Sequence, residues 1–537
     1  TGRTATTLIA ALGLLLIAPP ADASGRGVSY QGVEHHHGGT VTPIAGPVPE
    51  VDTLADEITR SSKAMLGDLA RERAKLRHGG ADMPSDERQL DTYPPPEGAV
   101  PSDQYAVTLQ QADVARSSFT HKVTARKTDT NLEEDTSWTS FSFGGAVTVS
   151  VRKLEGEAAG CLVRPSSEGV RTWFAGGVCS FVLARPANVS VEFFPNTTNP
   201  VLHPMLVFAN PPEADVPSAD DPDVLYLGPG VHRLGTVPLR SGQTVYLAGG
   251  AWVEANFKGV GVRDVVIRGR GVIDGTFLDT GDQDQNKGQP GLIDISCQAP
   301  GDPPHAPCSP ETNSSNVLID GLTFVNGPRF NVRALGDHIT VRNLKVMSWW
   351  YSTDCIWAGG SSLVEGNFCK VNDDSLKPMT GPAVIRDNVV WQLENGAPFM
   401  ISWNILSDQA DFHIYDNDVI HAEHYWLSPQ AVFRSRHATP SHMRRYLYEN
   451  IRVEDAQWRL FYLILEAHPK WYDPALGFGQ LSQLIFRNIT AETPFQRPNV
   501  VQGGDPEHRV SNASFVDVHV NGACAASAAD GGFQIDP

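Results

Sequence analysis

Short β-strand-forming runs that end in Asn, Asp or Gly recur through the second half of the chain. Four consecutive runs end at Gly321, Asn343, Gly366 and Asp387. Their steps are 22, 23 and 21 residues, without a helical pattern between them, and later runs are spaced more widely, as insertions in loops would cause. A fixed period of short strands indicates a solenoid, and a second β-sandwich would not keep one period. We therefore predict a parallel β-helix over residues 222–537. Its interior should contain Leu344, Val364 and Ile385.

A different sequence pattern precedes the predicted β-helix. From about residue 102 to residue 208, apolar and polar residues alternate in short runs, as in AVTVSV (146–151) and NVSVEF (188–193). Alternation with period two, with turn residues between the runs, is typical of an antiparallel β-sandwich. The expected fold class is therefore all-β, with a β-sandwich over residues 101–212 before the β-helix.

The first hundred residues carry targeting and linker signals. Residues 1–23 have the features of a secretory signal peptide, because Arg3 precedes an apolar run of about 13 residues and a small-residue cleavage site follows. Residues 24–100 are interpreted as a leader and linker, with a helix over 52–77 whose apolar residues form one stripe. A histidine tract at 35–37 is interpreted as an incidental polar segment. No later run approaches 18 apolar residues, so we expect a secreted, extracellular protein without a membrane partner.

The net charge limits the class of partner, and the cysteine content predicts disulfide bonds. The formal charge of −19 would slow the approach of nucleic acid or another anionic polymer, so a neutral substrate and a monomeric protein are expected. Seven cysteines in an exported chain predict disulfides, with at least one cysteine unpaired. Pairing by proximity joins Cys161 to Cys179, Cys297 to Cys308 and Cys355 to Cys369, and leaves Cys524.

Three aspartates form the candidate catalytic centre. Asp373 and Asp374 are adjacent, and Asp354 precedes Asp373 by 19 residues. With a repeat near 20 residues, Asp354 and one of the pair would stack on neighbouring turns, about 4.8 Å apart in backbone. Repulsion of about 3 kcal/mol between carboxylates about 5 Å apart would keep one of them protonated near neutral pH. A general acid beside a general base is what glycosidic-bond hydrolysis requires, whereas the alternative interpretation is a solvated turn.

Five segments carry a family resemblance: YLGPGV (226–231), VYLAGGA (245–251), DDSLK (373–377), VVWQLEN (389–395) and DVIH (418–421). Together they resemble glycoside hydrolase family 49, the dextranase and isopullulanase group. The likeness covers roughly residues 147–517 and departs from the family pattern at Gly396 and Ser402. It implies a β-sandwich followed by a right-handed parallel β-helix. It also implies an inverting hydrolase that cleaves α-glucosidic bonds of a neutral polysaccharide such as dextran or pullulan.

The resemblance also implies roles for individual residues. Asp373 resembles the general acid, and Asp354, Asp374 or both would hold the attacking water as general base. Carboxyls of an inverting pair are about 6.5–9.5 Å apart, so one close contact and one longer separation are expected among the three. Sugars pack on aromatic rings, and about half of the aromatic residues near the carboxylates should line a groove. The candidate substrate contacts are Lys377, Trp350, Trp403, Glu394 and His421. No cofactor or metal is expected.

Two other functions fit parts of the pattern. A polygalacturonase-like pectin hydrolase shares the β-helix and the arrangement of one aspartate followed by a pair. That group also carries Gly-His-Gly and Arg-x-Lys motifs after the pair, and residues 378–403 contain neither. A non-catalytic, polysaccharide-binding β-helix would not need three clustered acids.

Overall fold

The computed structural model describes residues 28–33, 40–45, 49–79, 88–126, 133–296, 312–425 and 429–536. The predicted signal peptide, the histidine tract and the predicted Cys297–Cys308 bond lie outside these ranges. Within them, no helix is both long enough and apolar enough to cross a membrane. The described helices are Pro49–Arg73 and Gln283–Asn286, with 3-10 turns at Ser166–Glu168 and Thr276–Leu278.

The C-terminal part of the chain coils into three stacks of parallel strands. The first stack contains Val224–Leu227, Thr244–Leu247, Arg263–Gly269, Ser315–Asp320, Val332–Arg342, Ser362–Glu365, Ala383–Arg386, Gln409–Tyr415, His442–Val453, Gln480–Ala491 and Val510–Val520. The second contains Gly230–Pro238, Ala251–Val260, Val272–Asp274, Thr323–Val325, Lys345–Ser348, Phe368–Val371, Val389–Gln392 and Asp418–Ala422. The third contains Ile293–Ser296, Ile356–Gly360, Phe399–Ser402, Phe433–His437, Phe461–Leu465, Asn499–Gln502 and Phe533–Asp536, with Leu376 as a one-residue bridge. The last residues of Ala251–Val260 and the first residues of Val332–Arg342 also pair in this third stack, because these long strands run on from one stack to the next. A short strand, Ala523–Cys524, pairs antiparallel with Val510–Val520. The predicted parallel β-helix is confirmed.

The interior of the coil is apolar and stacked from turn to turn. Leu344, Val364 and Ile385, which were predicted to point inward, are 0%, 2% and 3% exposed. In the third stack, the rings of Phe399 and Phe433 lie 5.2 Å apart and parallel. Each turn therefore buries an apolar surface that it could not bury alone, which is why the repeats stabilise one another.

The recurrent Asn, Asp or Gly of the sequence occupies the corner between the first and second stacks. Gly321, Asn343, Gly366, Asp387, Asp416, Asn450, Asn488 and Asp517 all have φ between 52° and 85°. This left-handed conformation is open to Gly and tolerated by Asn and Asp, so the corner geometry accounts for the sequence period. Just beyond it, the buried amide of Asn367 donates to Asn388 at 2.8 Å, and Asn388 donates to Asn417 at 2.9 Å.

Two further sheets precede the coil. Sheet one has the order Thr172–Ala175, Val178–Leu183, Val147–Lys153, Tyr105–Gln111, Val114–Ser118. Sheet two has the order Gln89–Thr92, Glu133–Gly144, Met205–Asn210, Ala187–Phe193, Cys161–Arg164, and His121–Arg126 pairs with its second strand. The two sheets share one hydrophobic core, and the predicted Cys161–Cys179 disulfide joins them. Sheet two also includes Gln89–Thr92, which the sequence interpretation had assigned to the linker.

Sheet two and the helix Pro49–Arg73 both pack on the outside of the coil. Sheet two contacts the second stack through Trp138 and Phe208, which bury against a cluster that includes Phe368 and Trp391. The helix Pro49–Arg73 lies across the first stack, where its apolar stripe covers outward side chains of several turns. Sheet two and the helix therefore cover two of the three stacks of the coil. A hairpin of Val28–Val33 and Thr40–Ala45 precedes the helix.

Candidate active site

The three aspartates meet at the corner between the second and third stacks. Asp354 precedes the third-stack strand Ile356–Gly360, and Asp373 and Asp374 follow the second-stack strand Phe368–Val371 one turn later. One carboxylate oxygen from each lies within 4.8 Å of the other two. The predicted Cys355–Cys369 disulfide, with a Cα separation of 6.0 Å, braces the same two turns.

Side-chain hydrogen bonds end the strand before the aspartate pair. The Asn372 amide donates to Trp349 O at 2.8 Å, and the Asn395 backbone N–H donates to Asn372 Oδ1 at 2.9 Å. The Gln392 amide donates to Asp373 O at 2.9 Å. Consecutive residues of a regular strand would face opposite ways. The irregular backbone held by Asn372 and Gln392 brings both carboxyls into one site.

Gly396 packs directly on the aspartate pair from the next turn of the coil. Its φ is +82°, and a Cβ built there would lie 2.2 Å from Asp373 C and 2.4 Å from Asp374 N. The position accepts only glycine, for its conformation and for its lack of a side chain. The departure from the family pattern noted at Gly396 therefore has a steric reason in this chain.

The positive charge of a buried lysine offsets the negative charges of two of the carboxylates. Lys377 Nζ donates to Asp354 Oδ2, and to Asp374 Oδ2 at 3.0 Å. Burial disfavours the ammonium, but the two aspartates outweigh it and raise the pKa of Lys377. Burial raises the pKa of Asp354 to about 6, against the opposing effect of Lys377. Within the described residues this is the one cluster of three acidic, His or Cys side chains close enough to share a metal ion, and the ammonium already supplies a positive charge there.

Asp373 has a different environment from its two neighbours. Its carboxylate accepts from the backbone N–H of Ser352 at 2.8 Å and of Asp374 at 2.9 Å, and it is the most exposed of the three. Burial, then the charges of Asp354 and Asp374, raise the pKa of Asp373 well above its usual range. The cluster therefore combines one carboxyl whose pKa is strongly raised with two carboxyls that share a lysine.

The spacing within the trio differs from the sequence expectation. One long separation was expected, yet oxygens of all three carboxyl groups approach within 4.8 Å. The Lys377 ammonium, placed between Asp354 and Asp374, offsets the repulsion that would otherwise keep these carboxylates apart.

The aromatic residues near the carboxylates divide between the aspartate corner and the sheet-two interface. Trp350 is 9% exposed and donates through its indole N–H to Asp279 at 2.8 Å. Trp403 is half-buried and stacks with the guanidinium of Arg436, 4.7 Å from the ring centre. Trp349 and Trp391 instead pack into the cluster beneath sheet two. Trp426 lies outside the described residues.

Four of the five predicted substrate contacts are buried, with Lys377 and Trp350 each 9% exposed, and Trp403 is half-buried. Glu394 follows the strand Val389–Gln392 on the same corner but is only 2% exposed. His421 is fully buried and bonds to Glu192 at 2.8 Å and Asp455 at 3.0 Å, so its predicted contact with substrate is wrong. His421 points outward from the second stack, and sheet two covers that stack. Burial disfavours its charge, but these two carboxylates outweigh burial and raise the pKa of His421 to about 9.

Sequence reasoning missed Arg434, which lies on the outward side of the third stack two turns below Lys377. It is 4% exposed and donates to Gly396 O at 3.3 Å and to Gln430 at 2.9 Å, so it supports the turn that packs on the aspartates. Burial lowers the pKa of Arg434 to about 10, against the effect of Asp374. The alternation in FRSRH (433–437), with inward Phe and outward Arg, is the signal that could have revealed it.

Comparison with known proteins agrees with the fold and with the resemblance. No family model matches the chain. The chain is 26% identical over 223 residues to a dextranase of Arthrobacter sp. (strain CB-8), and it has the same identity over the same length to a dextranase of Arthrobacter globiformis. Each alignment covers 38% of this chain. The chain spans about a third of the length of these curated relatives. The solved structure of Dex49A from Penicillium minioluteum superposes with a TM-score of 0.56 at 16% identity, covering 84% of this chain and 97% of that one. The resemblance to family 49 dextranases is therefore confirmed in sequence and in fold.

Proposed function

We propose that this chain is a secreted glycoside hydrolase that cleaves α-glucosidic bonds of a neutral polysaccharide such as dextran or pullulan, with inversion at the anomeric carbon. Inversion rests on the resemblance to family 49 and not on the spacing of the carboxyls, whose oxygens lie closer together than the separation of about 6.5–9.5 Å in a typical inverting pair. One observation carries the proposal: three aspartates lie within 4.8 Å of one another on one corner of a parallel β-helix, and a buried lysine bonds to two of them. The similarity to two dextranases and the shared fold with Dex49A support it. Lys377, Trp350 and Trp403 remain the candidates for sugar contact.

In the proposed reaction, Asp373 is the general acid. Burial and the charges of Asp354 and Asp374 raise its pKa and so favour its protonated form, which can donate a proton to the glycosidic oxygen as the bond to the anomeric carbon breaks. Asp354 and Asp374 hold a water molecule, whose oxygen bonds to the anomeric carbon as one of them accepts its proton. With a pKa of about 6, Asp354 is ionised above that pH and competent as a base. Lys377 keeps both carboxylates close together.

The cations around the three aspartates support a pectin hydrolase less well than a hydrolase of a neutral polysaccharide. An anionic sugar requires a cation that is available to its carboxylate. Arg333 is already held by Asp294 through two bonds of 2.9–3.0 Å, and Lys377 by two aspartates. Arg329 donates to the backbone carbonyls of Lys287 and Gln289. A neutral polysaccharide requires none of these cations.

Release of reducing sugar from dextran, pullulan and polygalacturonate tests the proposal. We expect activity on an α-glucan, and a fall in kcat of at least about 10²-fold in Asp373→Asn, because that substitution removes the proton donor and nearly preserves shape. Asp387→Asn, at the opposite corner of the coil, is the matched control and should retain activity. Normal hydrolysis of the polymer by Asp373→Asn would refute the assignment.

Two further measurements separate the roles within the trio. An α-glucosyl fluoride needs little protonation to leave, so this substrate should partly rescue Asp373→Asn but not a variant that lacks the base. Asp354→Asn and Asp374→Asn should both be severely impaired if both carboxylates hold the water, and only one should be if a single carboxylate is the base.

The anomer first released, followed by proton NMR, should have the inverted configuration, and retention would refute that part of the proposal.

A further inference from the structure

Sheet one has one face in the hydrophobic core and one face turned away from the coil. Val107, Val149 and Phe181 point into the core that it shares with sheet two. Sheet two, on its other side, packs on the second stack of the coil. Side chains that alternate with the core residues of sheet one therefore point away from the rest of the protein.

A cross-strand row of five residues runs along this outward face. The register pairs Trp173 with Ser180, Ser180 with Ser150, Ser150 with Thr108, and Thr108 with Ser117. Four strand spacings of about 4.8 Å make the row about 19 Å long. The hydroxyls of Ser150 and Ser180 lie 2.9 Å apart. We call this row the outer platform.

Trp173 is the unusual member of the outer platform. Half of its surface, 50%, is exposed, and it is the one exposed tryptophan in the described part of the chain. Tryptophan is normally well buried, so an exposed indole on a flat sheet is available to pack against a ligand.

The outward rows on either side of the platform carry almost no charge. One contains Val182, Thr148, Gln110 and Ala115, and the other contains Val178, Arg152 and Ala106. Arg152 is the one charged side chain among these positions, in a chain whose formal charge is −19. A face with one charged side chain among these positions offers little electrostatic attraction to a charged polymer, so it fits a neutral partner.

We propose that the outer platform is a second binding site for a neutral polysaccharide, separate from the groove that contains the aspartates. The Trp173 indole packs on the C–H face of a sugar ring, and the exposed hydroxyls of Thr108 and Ser117 exchange hydrogen bonds with sugar hydroxyls. Ser180 is 7% exposed, so it supports the row and does not contact the sugar. The ligand class rests on the proposed function, since an α-glucan chain long enough to occupy the groove can also reach a second surface. Nucleic acid is a poor fit, because phosphate binding requires several lysines or arginines.

Binding is best measured in a full-length chain that carries Asp373→Asn, so that the polymer is not hydrolysed. Native electrophoresis through gels that contain high-mass dextran or pullulan gives the dissociation constant. An α-1,6-linked glucose trisaccharide, the short substrate used for comparison in the activity assay, is left out of these gels because it would compete for both sites. Trp173→Ala and Thr108→Arg should each weaken retention, the first by about 5- to 10-fold, which is the expected effect of losing one aromatic stacking contact. Val100→Ala, at a loop residue that is 77% exposed, is the control and should not change retention.

The outcomes separate this proposal from the proposed function. In an otherwise unaltered chain, Trp173→Ala should leave kcat/KM on the trisaccharide unchanged and lower it on high-mass polymer. The proposal that the platform binds polysaccharide is overturned if Trp173→Ala is retained as strongly as the Asp373→Asn chain that it is made in. It is also overturned if that Asp373→Asn chain is retained by neither polymer. A loss of dimer in sedimentation, without a loss of retention, would mean that a second copy of the chain covers this face, and would also overturn it. If the unaltered chain hydrolyses no glucan, the proposed function fails, while the retention measurements still decide the platform.

Discussion

Gly396→Ala should damage the candidate active site without changing any residue that bears its chemistry. The added Cβ would lie 2.2 Å from the backbone carbon of Asp373 and 2.4 Å from the nitrogen of Asp374. Non-bonded carbon atoms pack at about 3.5–4.0 Å, so one of the two corners must move by more than about 1 Å. The moving part is the peptide that carries both aspartates or the turn that Arg434 supports.

The expected size of the effect has two parts. A left-handed conformation costs a residue with a Cβ about 1–2 kcal/mol, and overpacking costs about 1–3 kcal/mol. We therefore expect the free energy of unfolding to fall by about 2–5 kcal/mol. A displacement of about 1 Å at a catalytic group lowers kcat by about 10²-fold, so activity should fall even where the protein remains folded.

Gly366→Ala is the matched control for this prediction. Gly366 has φ +65° on the opposite corner of the coil, and the nearest atom to a Cβ there is Asn343 N at 4.0 Å. It should lose only the conformational part, about 1–2 kcal/mol, and keep its kcat. Urea unfolding gives the stability of each variant, and kcat is measured on dextran at a temperature where circular dichroism shows both to be folded. Equal losses of stability, together with kcat values within about threefold of the unaltered chain, would refute the reasoning.

Three other substitutions test separate parts of the molecule. Lys377→Met removes the ammonium beside Asp354, so the pKa of Asp354 should rise above 6, and the acid limb of the pH profile of kcat should move to higher pH. The pKa of His421 is raised from about 6.5 to about 9, so its charge stabilises the interface fully below pH 6.5, and this contribution is lost as the pH rises through 9. His421→Gln should therefore lower Tm more at pH 6 than at pH 9.5. Cys355→Ala combined with Cys369→Ala opens a loop of about 15 residues and should lower the free energy of unfolding by about 3 kcal/mol, measured by urea unfolding.

The coil and the meeting of the aspartates were predictable because both depend on local, repeated geometry. Each turn requires a left-handed corner residue, and Asn343, Gly366 and Asp387 record that requirement at a nearly constant step. Once the step is known, Asp354 must lie one turn away from Asp373. The Cys355–Cys369 disulfide was predicted only from the proximity of the two cysteines in the chain, and the structure confirms it with a Cα separation of 6.0 Å.

What the tertiary structure alone decided concerns packing between distant segments. His421 lies in a segment that resembles the family, yet its role depends on sheet two, whose Glu192 is 229 residues away in the chain. Arg434 reaches Gly396 across turns lengthened by insertions, so the period no longer aligns them in the sequence. The contact of Gly396 with Asp373 is likewise a close approach of two backbones, which leaves no pattern of side chains to read. A repeat determines the position of a residue on its own turn of the coil. Which neighbour covers that residue is decided only when the separate elements pack.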